Sequence, residues 1–466
     1  MRCAARALAL PAALAATLGA APPRTDALAA IAAANGHPAL VHIRATGTQV
    51  VEGRTVRVTF EQQGTAQLRR VCVADTCRGE WFDGTRRYTF GLNDVALPDE
   101  APDLPVRRTL AAVASYSFAE PAFTAGGGTV RQIAPGRFRV RAREGAELDA
   151  LLDPAALTLR RIVMPDGATV ATYGRTVRAG GATFALEQGG EFEPGRLDSA
   201  EAIGGTIEPP AGPQLTVGAP ETVLLGSEAV PIVPCTIARR SARCLLDTGA
   251  NPSALALPFA ESLRLEPRGE LEMRGFAAFL TGYVEAGPLV LGPAHFERVR
   301  LAVIPAFAAI HFDAVIGADL LARLHLVLDR RAGTATVGPS AATTEGADLT
   351  FQRGRPMLRV TLSGEPQLAL VDTGDEALFS LGYASYREGH QWPVTGRLRG
   401  EGLAGSEDAF AVEIPDVRIG GFNVGATRTI VRRTQEEAHV GIGLWTRCAL
   451  ELDEAAARFG CAGGAR

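Results

Sequence analysis

The chain has 466 residues, of which 47% are hydrophobic and 21% charged, with a net charge of −4. This length exceeds one ordinary core, so two or three folded domains are expected, and the small net charge gives no reason to expect nucleic-acid or anionic-membrane binding. All 47 basic residues are arginine, which excludes Schiff-base and P-loop lysine chemistry.

Residues 1–21 read as a secretory signal: Arg2 and Arg6, the apolar run LALPAALAATL, then small residues at Gly19-Ala20-Ala21. The run is too short for a membrane span, and no other segment approaches 18 apolar residues, so no integral membrane segment is expected after cleavage. A periplasmic or secreted protein is expected, with an uncleaved anchor as the rival reading.

Residues 22–195 predict a β-rich domain. Thr25–Gly36 and Leu104–Phe118 read as helices. Between and after them, segments such as RTVRVTFEQQ, GRFRVRARE and ATVATYGRT alternate or nearly alternate, separated by Gly, Asp or Pro. The motif FDGTRRYTF, with Trp81 before it, gives this region a weak resemblance to lipoprotein-carrier (LolA-like) half-barrels. A concave sheet of that kind would suit an apolar ligand or substrate segment, an inhibitory or folding role, or a spacer; the residues do not choose among these. Residues 196–218, with GGTIEPPAGPQLTVGAP running through and past them, read as a linker.

Beyond the linker the chain repeats itself. LLDTGA (Leu245–Ala250) returns as LVDTGD (Leu370–Asp375). Pro231 and Pro356 each stand 16 residues before their Asp, and Thr236 and Thr361 each stand 11 before it. The runs IVPCTI–ARRS–ARCLL and MLRVTL–SGEPQ–LALV predict a hairpin whose second strand delivers each Asp. Downstream stand VIGADLL and GIGLWTR, with Gly317 70 residues after Asp247 and Gly443 71 after Asp372, and each copy closes on Leu-Asp, at Asp329 and Asp453. A register kept this long is a duplication, giving lobes at 219–340 and 341–466.

Two such turns resemble the pepsin/retropepsin-type aspartic peptidases, in the bacterial retropepsin-like style with both lobes in one chain; the resemblance covers Leu215–Cys461. It implies a mainly β, bilobal acid-protease fold behind the β-rich N-terminal domain. By position, Asp247 and Asp372 form the catalytic dyad, and Thr248 and Thr373 interlock the two loops. Gly249 and Gly374 permit the turns through positive φ, and Val315-Ile316-Gly317 and Ile442-Gly443 support them. Two departures stand out. Asp375 occupies a place where the family has a small or hydroxylated residue, and Gly441 puts glycine at an expected apolar place in the second supporting segment. A substrate flap is expected over Glu272–Val290 with Tyr283 near its tip, whereas Arg397–Phe410 (RLRGEGLAGSEDAF) reads as loop.

Apart from Cys3, six cysteines form three local pairs about predicted turns, Cys72/Cys77, Cys235/Cys244 and Cys448/Cys461. Cross-strand disulfides suit an exported protein, with Cys235 and Cys244 facing each other if Arg239-Arg240 form the turn; zinc is the rival reading, and the spacing suits it poorly. The seven histidines (37, 42, 295, 311, 325, 390, 439) are scattered, and none stands out. Other catalytic motifs are missing, so no metal or cofactor is expected. The expected function is an exported aspartic endopeptidase acting on extended peptides. The alternative is a non-catalytic bilobal binding or scaffold protein, motivated by Asp375 and the Gly441-Ile442-Gly443 segment.

Overall fold

The computed structural model describes residues 25–461 except 52, 192, 227, 275–277, 306–310, 340–346, 390, 403–404, 421, 447 and 454–455. The expected signal at 1–21 lies outside the described residues. The fold is mainly β.

The N-terminal region is built on two antiparallel seven-stranded sheets. The first runs from Ile43–Val51 through Arg54–Gln63, Ala66–Val73 and Thr76–Phe82 to Leu97–Pro98, with Ser199–Ala202 on its other edge. Its pleat turns Ile43, Ala45, Val56, Val58 and Phe60 inward, as alternation in the sequence requires. Helices Thr25–Ala34 and Leu104–Ala114 lay Ile31, Leu110 and Val113 on the second sheet, against Phe138, Val140, Leu148 and Ile162. Because Ser199–Ala202 pairs with Ile43–Thr46, this unit runs past the expected boundary at 195. The connection to the lobes is correspondingly shorter, ending where Leu215–Val217 joins the first lobe's sheet. Arg107 and Glu193 are buried here, with Arg107 over the Phe82 ring and Glu193 accepting a hydrogen bond from Tyr173 Oη at 2.6 Å. A polar centre of this kind is not the lining that the apolar-ligand expectation calls for.

The two lobes repeat one topology. In the first, the strands are β1 (Ile232–Ile237), β2 (Arg240–Leu246), β3 (Ala254–Ala256), β4 (Arg268–Arg274), β5 (Ala278–Ala286), β6 (Val299–Ile304) and β7 (Ala314–Ile316). In the second they are β8 (Arg355–Leu362), β9 (Glu365–Asp372), β10 (Phe379–Gly382), β11 (Val394–Gly402), β12 (Gly405–Ile419), β13 (Phe422–Arg432) and β14 (Ala438–Gly441). The sheet orders β1-β2-β7-β3-β6-β5-β4 and β8-β9-β14-β10-β13-β12-β11 correspond strand for strand. The parallel pairs β2–β7 and β3–β6 return as β9–β14 and β10–β13.

Each lobe opens on the expected hairpin. Its turn residues are Ala238-Arg239 (φ 48° and 64°) and Ser363-Gly364 (φ 48° and 95°). Two left-handed residues match the right-handed twist of the flanking strands. The turn is therefore one residue earlier than Arg239-Arg240, and Cys235 stands opposite Ala242 rather than Cys244. The disulfide Cys235–Cys244 forms diagonally, with Cα atoms 5.9 Å apart. Cys72–Cys77 is also bonded, across directly paired positions. Cys448 is disulfide-bonded and faces Cys461 in register.

A third sheet ties the lobes together. Its first-lobe strand His325–Asp329 pairs antiparallel with second-lobe strand Cys448–Asp453, Leu326 opposite Leu452 and Leu328 opposite Leu450. These leucines belong to one apolar core that extends through both lobes.

Two expectations about the hairpins are overturned. Arg397–Gly402 and Gly405–Phe410 are not loop: they form most of the β11–β12 hairpin, with Arg399 opposite Asp408. Tyr283 is not at a flap tip. It sits at the root of the β4–β5 hairpin, opposite Arg268 and Ala302, and is 1% exposed. Its hydroxyl donates to Asp75 of the N-terminal domain at 2.7 Å. The hairpin tip, 275–277, lies outside the described residues.

Candidate active site

Both Asp-Thr-Gly turns leave the ends of β2 and β9 and meet at the junction of the lobes. Thr248 N–H donates to Thr373 Oγ1 at 3.0 Å, and Thr373 N–H donates to Thr248 Oγ1 at 3.2 Å. Thr373 Oγ1 donates to the Leu246 carbonyl at 2.6 Å, and Thr248 Oγ1 donates to that of Val371. Both threonines are buried. Each hydroxyl thus spends its proton on the opposite strand and accepts from the opposite loop, which locks the loops together by reciprocal bonds.

This interlock presses the carboxyl groups together. Asp247 and Asp372 face each other closely enough that the charge of one acts directly on the other. Asp247 Oδ1 accepts from Gly249 N–H at 2.8 Å and Ala250 N–H at 3.1 Å, and Asp372 Oδ1 accepts from Gly374 N–H at 2.9 Å. The glycines have a different reason from the one expected, since neither has positive φ. A Cβ on Gly249 would stand 2.5 Å from Asp372 Cγ, and one on Gly374 would stand 2.5 Å from Asp247 Oδ2. Only glycine leaves room for the carboxyl group of the other lobe.

The supporting segments also need correction. Gly317 N–H is followed by Ala318 N–H, which donates to the Ala250 carbonyl; Ile442 N–H donates to that of Asp375. A Cβ on Gly317 would strike the Ala250 carbonyl oxygen, and one on Gly441 would strike that of Asp375. Gly317 therefore corresponds to Gly441, not to Gly443, and Val315-Ile316-Gly317 corresponds to His439-Val440-Gly441. The second segment is not eroded. One of its apolar residues is instead a histidine.

The strand registers extend this correspondence. Val315 pairs with Ala254 as His439 pairs with Ser380, and Ala256 pairs with Ile304 as Gly382 pairs with Arg432. Hence Ala250, Ala254, Ile304 and Val315 of the first lobe stand where Asp375, Ser380, Arg432 and His439 stand in the second. Four apolar residues are matched by four polar ones that bond to one another. Asp375, 8% exposed, accepts from Ser380 Oγ at 2.9 Å, from Arg432 Nη2 at 3.0 Å and from Ala377 N–H at 3.0 Å. It neither turns to solvent nor donates to Asp372; Arg432 balances its charge. His439 Nδ1 lies 3.1 Å from Asp372 Oδ2 and 3.8 Å from Asp375 Oδ2.

These contacts make the dyad unequal. Burial, then the charge of Asp372, pushes Asp247 well above the usual carboxylate range, against the pull of the Gly249 amide. Burial acts on Asp372 in the same direction, but the hydrogen bond and charge of His439 outweigh it and hold Asp372 below the usual range. Two close carboxylates cannot both ionise cheaply, and of the two it is Asp372 that has a cationic neighbour favouring its ionised form. Nothing in the sequence sets His439 apart from the other histidines. The signal was present only in its place two residues before Gly441, once that glycine is matched to Gly317. Among the described residues no group of His, Cys, Asp and Glu is arranged to hold a metal ion, and no described helix is long and apolar enough to cross a membrane.

Residues 233–320 match a family model described as aspartyl protease. A search of curated proteins found no match. Among solved structures, a retropepsin-like aspartic protease from Rickettsia conorii is 17% identical over 28% of this chain and 97% of its own, with a TM-score of 0.22. Basic 7S globulin from soybean is 12% identical over 53% of this chain and 95% of its own, TM-score 0.30. Conglutin gamma from lupine seeds is 9% identical over 54% and 96%, TM-score 0.28. Residues 233–320, which hold the first Asp-Thr-Gly turn, are thus similar to the aspartyl protease family.

Proposed function

We propose that the chain is an aspartic-type endopeptidase, with Asp247 and Asp372 as the catalytic pair. The observation that carries the reading is the facing pair of carboxyl groups, each packed against the other lobe's glycine and centred on a reciprocal threonine interlock between two lobes of matching strand order. Such a pair holds one proton, so it can accept a proton from water and give one to the scissile carbonyl oxygen in the same step. An extended peptide would lie between the lobes and pair its backbone with the β4–β5 and β11–β12 hairpins. The disulfides at Cys72–Cys77 and Cys235–Cys244 support export to an oxidising compartment.

The non-catalytic alternative rested on two departures. The register above removes the eroded segment, and Arg432 accounts for the buried charge of Asp375. Incubation with unfolded casein separates the two readings. The peptidase reading expects cleavage by the native protein and its loss, on the order of a thousandfold or more, in Asp247→Asn with an unchanged melting temperature. A purified, folded protein that leaves casein intact across the acidic and neutral pH range would refute it.

A further inference from the structure

We propose that His439 is a positioning residue of the dyad, one that fixes the negative charge on Asp372 and leaves the shared proton on Asp247. This deepens the peptidase reading and rests on it. The argument begins with the symmetry of the lobes. If the second lobe were a plain copy of the first, the place of His439 would hold a valine like Val315, packed beneath the loop. A single polar substitution there would strand a ring nitrogen in a mostly buried site, at a cost in stability. Instead the neighbouring apolar places have changed with it, to Asp375, Ser380 and Arg432, with Ser380 and Arg432 both bonded to Asp375 and His439 Nδ1 3.8 Å from it. The set is built as a unit around the foot of one carboxylate.

Geometry then dictates the proton positions. Nδ1 of His439 faces two carboxylate oxygens, Asp372 Oδ2 at 3.1 Å and Asp375 Oδ2 at 3.8 Å. A bare ring nitrogen would point its lone pair at theirs, so Nδ1 carries the hydrogen and Asp372 Oδ2 accepts it. Asp372 is then held from both sides, by Gly374 N–H on Oδ1 and by His439 on Oδ2, which favours its ionised form. Asp372 rather than Asp375 is the acceptor because its oxygen is the nearer, 3.1 Å against 3.8 Å, and the longer separation is outside hydrogen-bond reach. The groups facing the ring are therefore Asp372 and its partner Asp247, Asp375 with its Arg432, and Ser380, whose hydroxyl also lies 3.1 Å from Gln435 Oε1.

The consequence is a division of labour. The water oxygen bonds to the carbonyl carbon while one water proton passes to Asp372. The carbonyl π pair moves onto its oxygen, which takes the proton held by Asp247, giving a neutral gem-diol. Interchange of the two carboxyl groups, open to a symmetric pair, is closed here.

The test uses the full chain with His439→Val, the residue type of the matching first-lobe place, and His439→Asn, whose amide keeps a neutral donor. In the pH–rate profile on casein, His439→Val removes what holds Asp372 low. Its acidic limb moves to higher pH, with activity on that side down on the order of tenfold, while activity above the limb changes less. His439→Asn keeps the limb close to that of the native protein. Superimposable limbs for His439→Val and the native protein would overturn the proposal. A second measurement does not depend on turnover. In 15N-histidine NMR spectra the signal lost in His439→Asn has a protonated Nδ1 and shifts in Asp372→Asn. A His439 protonated only on Nε2, or one blind to Asp372→Asn, would overturn the proposal even in an active enzyme. Absence of cleavage by the native protein would instead refute the peptidase reading, leaving the NMR result to decide whether His439 holds the charge on Asp372.

Discussion

At the scale of single residues, the site is governed by how little space its carboxyl groups are given. Gly249 has an ordinary backbone conformation, so alanine could adopt it; what alanine cannot do is share the space with Asp372 Cγ, 2.5 Å from its Cβ. Gly249→Ala is therefore expected to push the carboxyl groups apart, cost about 1–3 kcal/mol by overpacking, and abolish casein cleavage. Wild-type activity in this variant, measured beside its melting temperature, would contradict the packing. The same scale shows where a sequence stops speaking. Asp247, Thr248, Asp372 and Thr373 are legible because a short motif is repeated. Asp375 is visible as an oddity, but its meaning depends on Arg432, 57 residues further on. His439 is invisible until strand pairing brings it beside Asp372.

At the scale of strands and hairpins, local pattern carried much of the reading. Alternation marks the N-terminal strands, and the opening hairpins of both lobes follow from apolar runs around a polar turn. The β11–β12 hairpin escaped because its glycines and charges mimic a loop. Its outermost strand, β11, is an edge strand, which tolerates such residues because only one side is paired. In the supporting segment Gly441 and Gly443 both offer a plausible end by sequence, and the bonds of Ala318 and Ile442 together with the strand register separate them. The diagonal Cys235–Cys244 bond closes a short hairpin loop, and the chain-entropy model assigns it about 2–3 kcal/mol. The Cys235→Ala/Cys244→Ala variant is expected to melt at lower temperature and to lose part of the native protein's sensitivity to reductant. Equal melting temperatures for native and variant protein under oxidising conditions would show that the bond contributes no stability.

At the scale of the whole molecule, the N-terminal domain is docked on the first lobe through buried polar contacts. Asn93, 7% exposed, donates to Asp319 Oδ2 at 2.7 Å and to the Arg300 carbonyl at 2.9 Å, and accepts from Arg300 N–H at 2.8 Å. Asp319 in turn accepts from Ser253 Oγ at 2.5 Å and from its N–H at 2.9 Å, and that hydroxyl accepts from Gly317 N–H at 2.8 Å. A chain of hydrogen bonds thus runs from the N-terminal domain to the glycine beneath the first active-site loop. Burial pushes the Asp319 carboxyl up, and the bonds from Ser253 and Asn93 draw it back. Asn93→Ala leaves Asp319 Oδ2 without this donor at a buried site, at a cost of about 1–3 kcal/mol. A lower melting temperature and faster proteolytic nicking within 203–214 are expected; unchanged values of both would show that the domain is held elsewhere.

The sheet shared by the lobes has a further consequence, for timing. Asp247 and Thr248 are made well over a hundred residues before Asp372 and Thr373, and the loops lock only against each other. The strand that closes the shared sheet, Cys448–Asp453, comes later still. A ribosome or an export channel releasing this chain from its N-terminus therefore delivers a finished N-terminal domain and most of one lobe while the pair of carboxyl groups does not yet exist. On the peptidase reading, the chain is harmless throughout its own synthesis and passage, and acquires its chemistry in the last steps of its emergence.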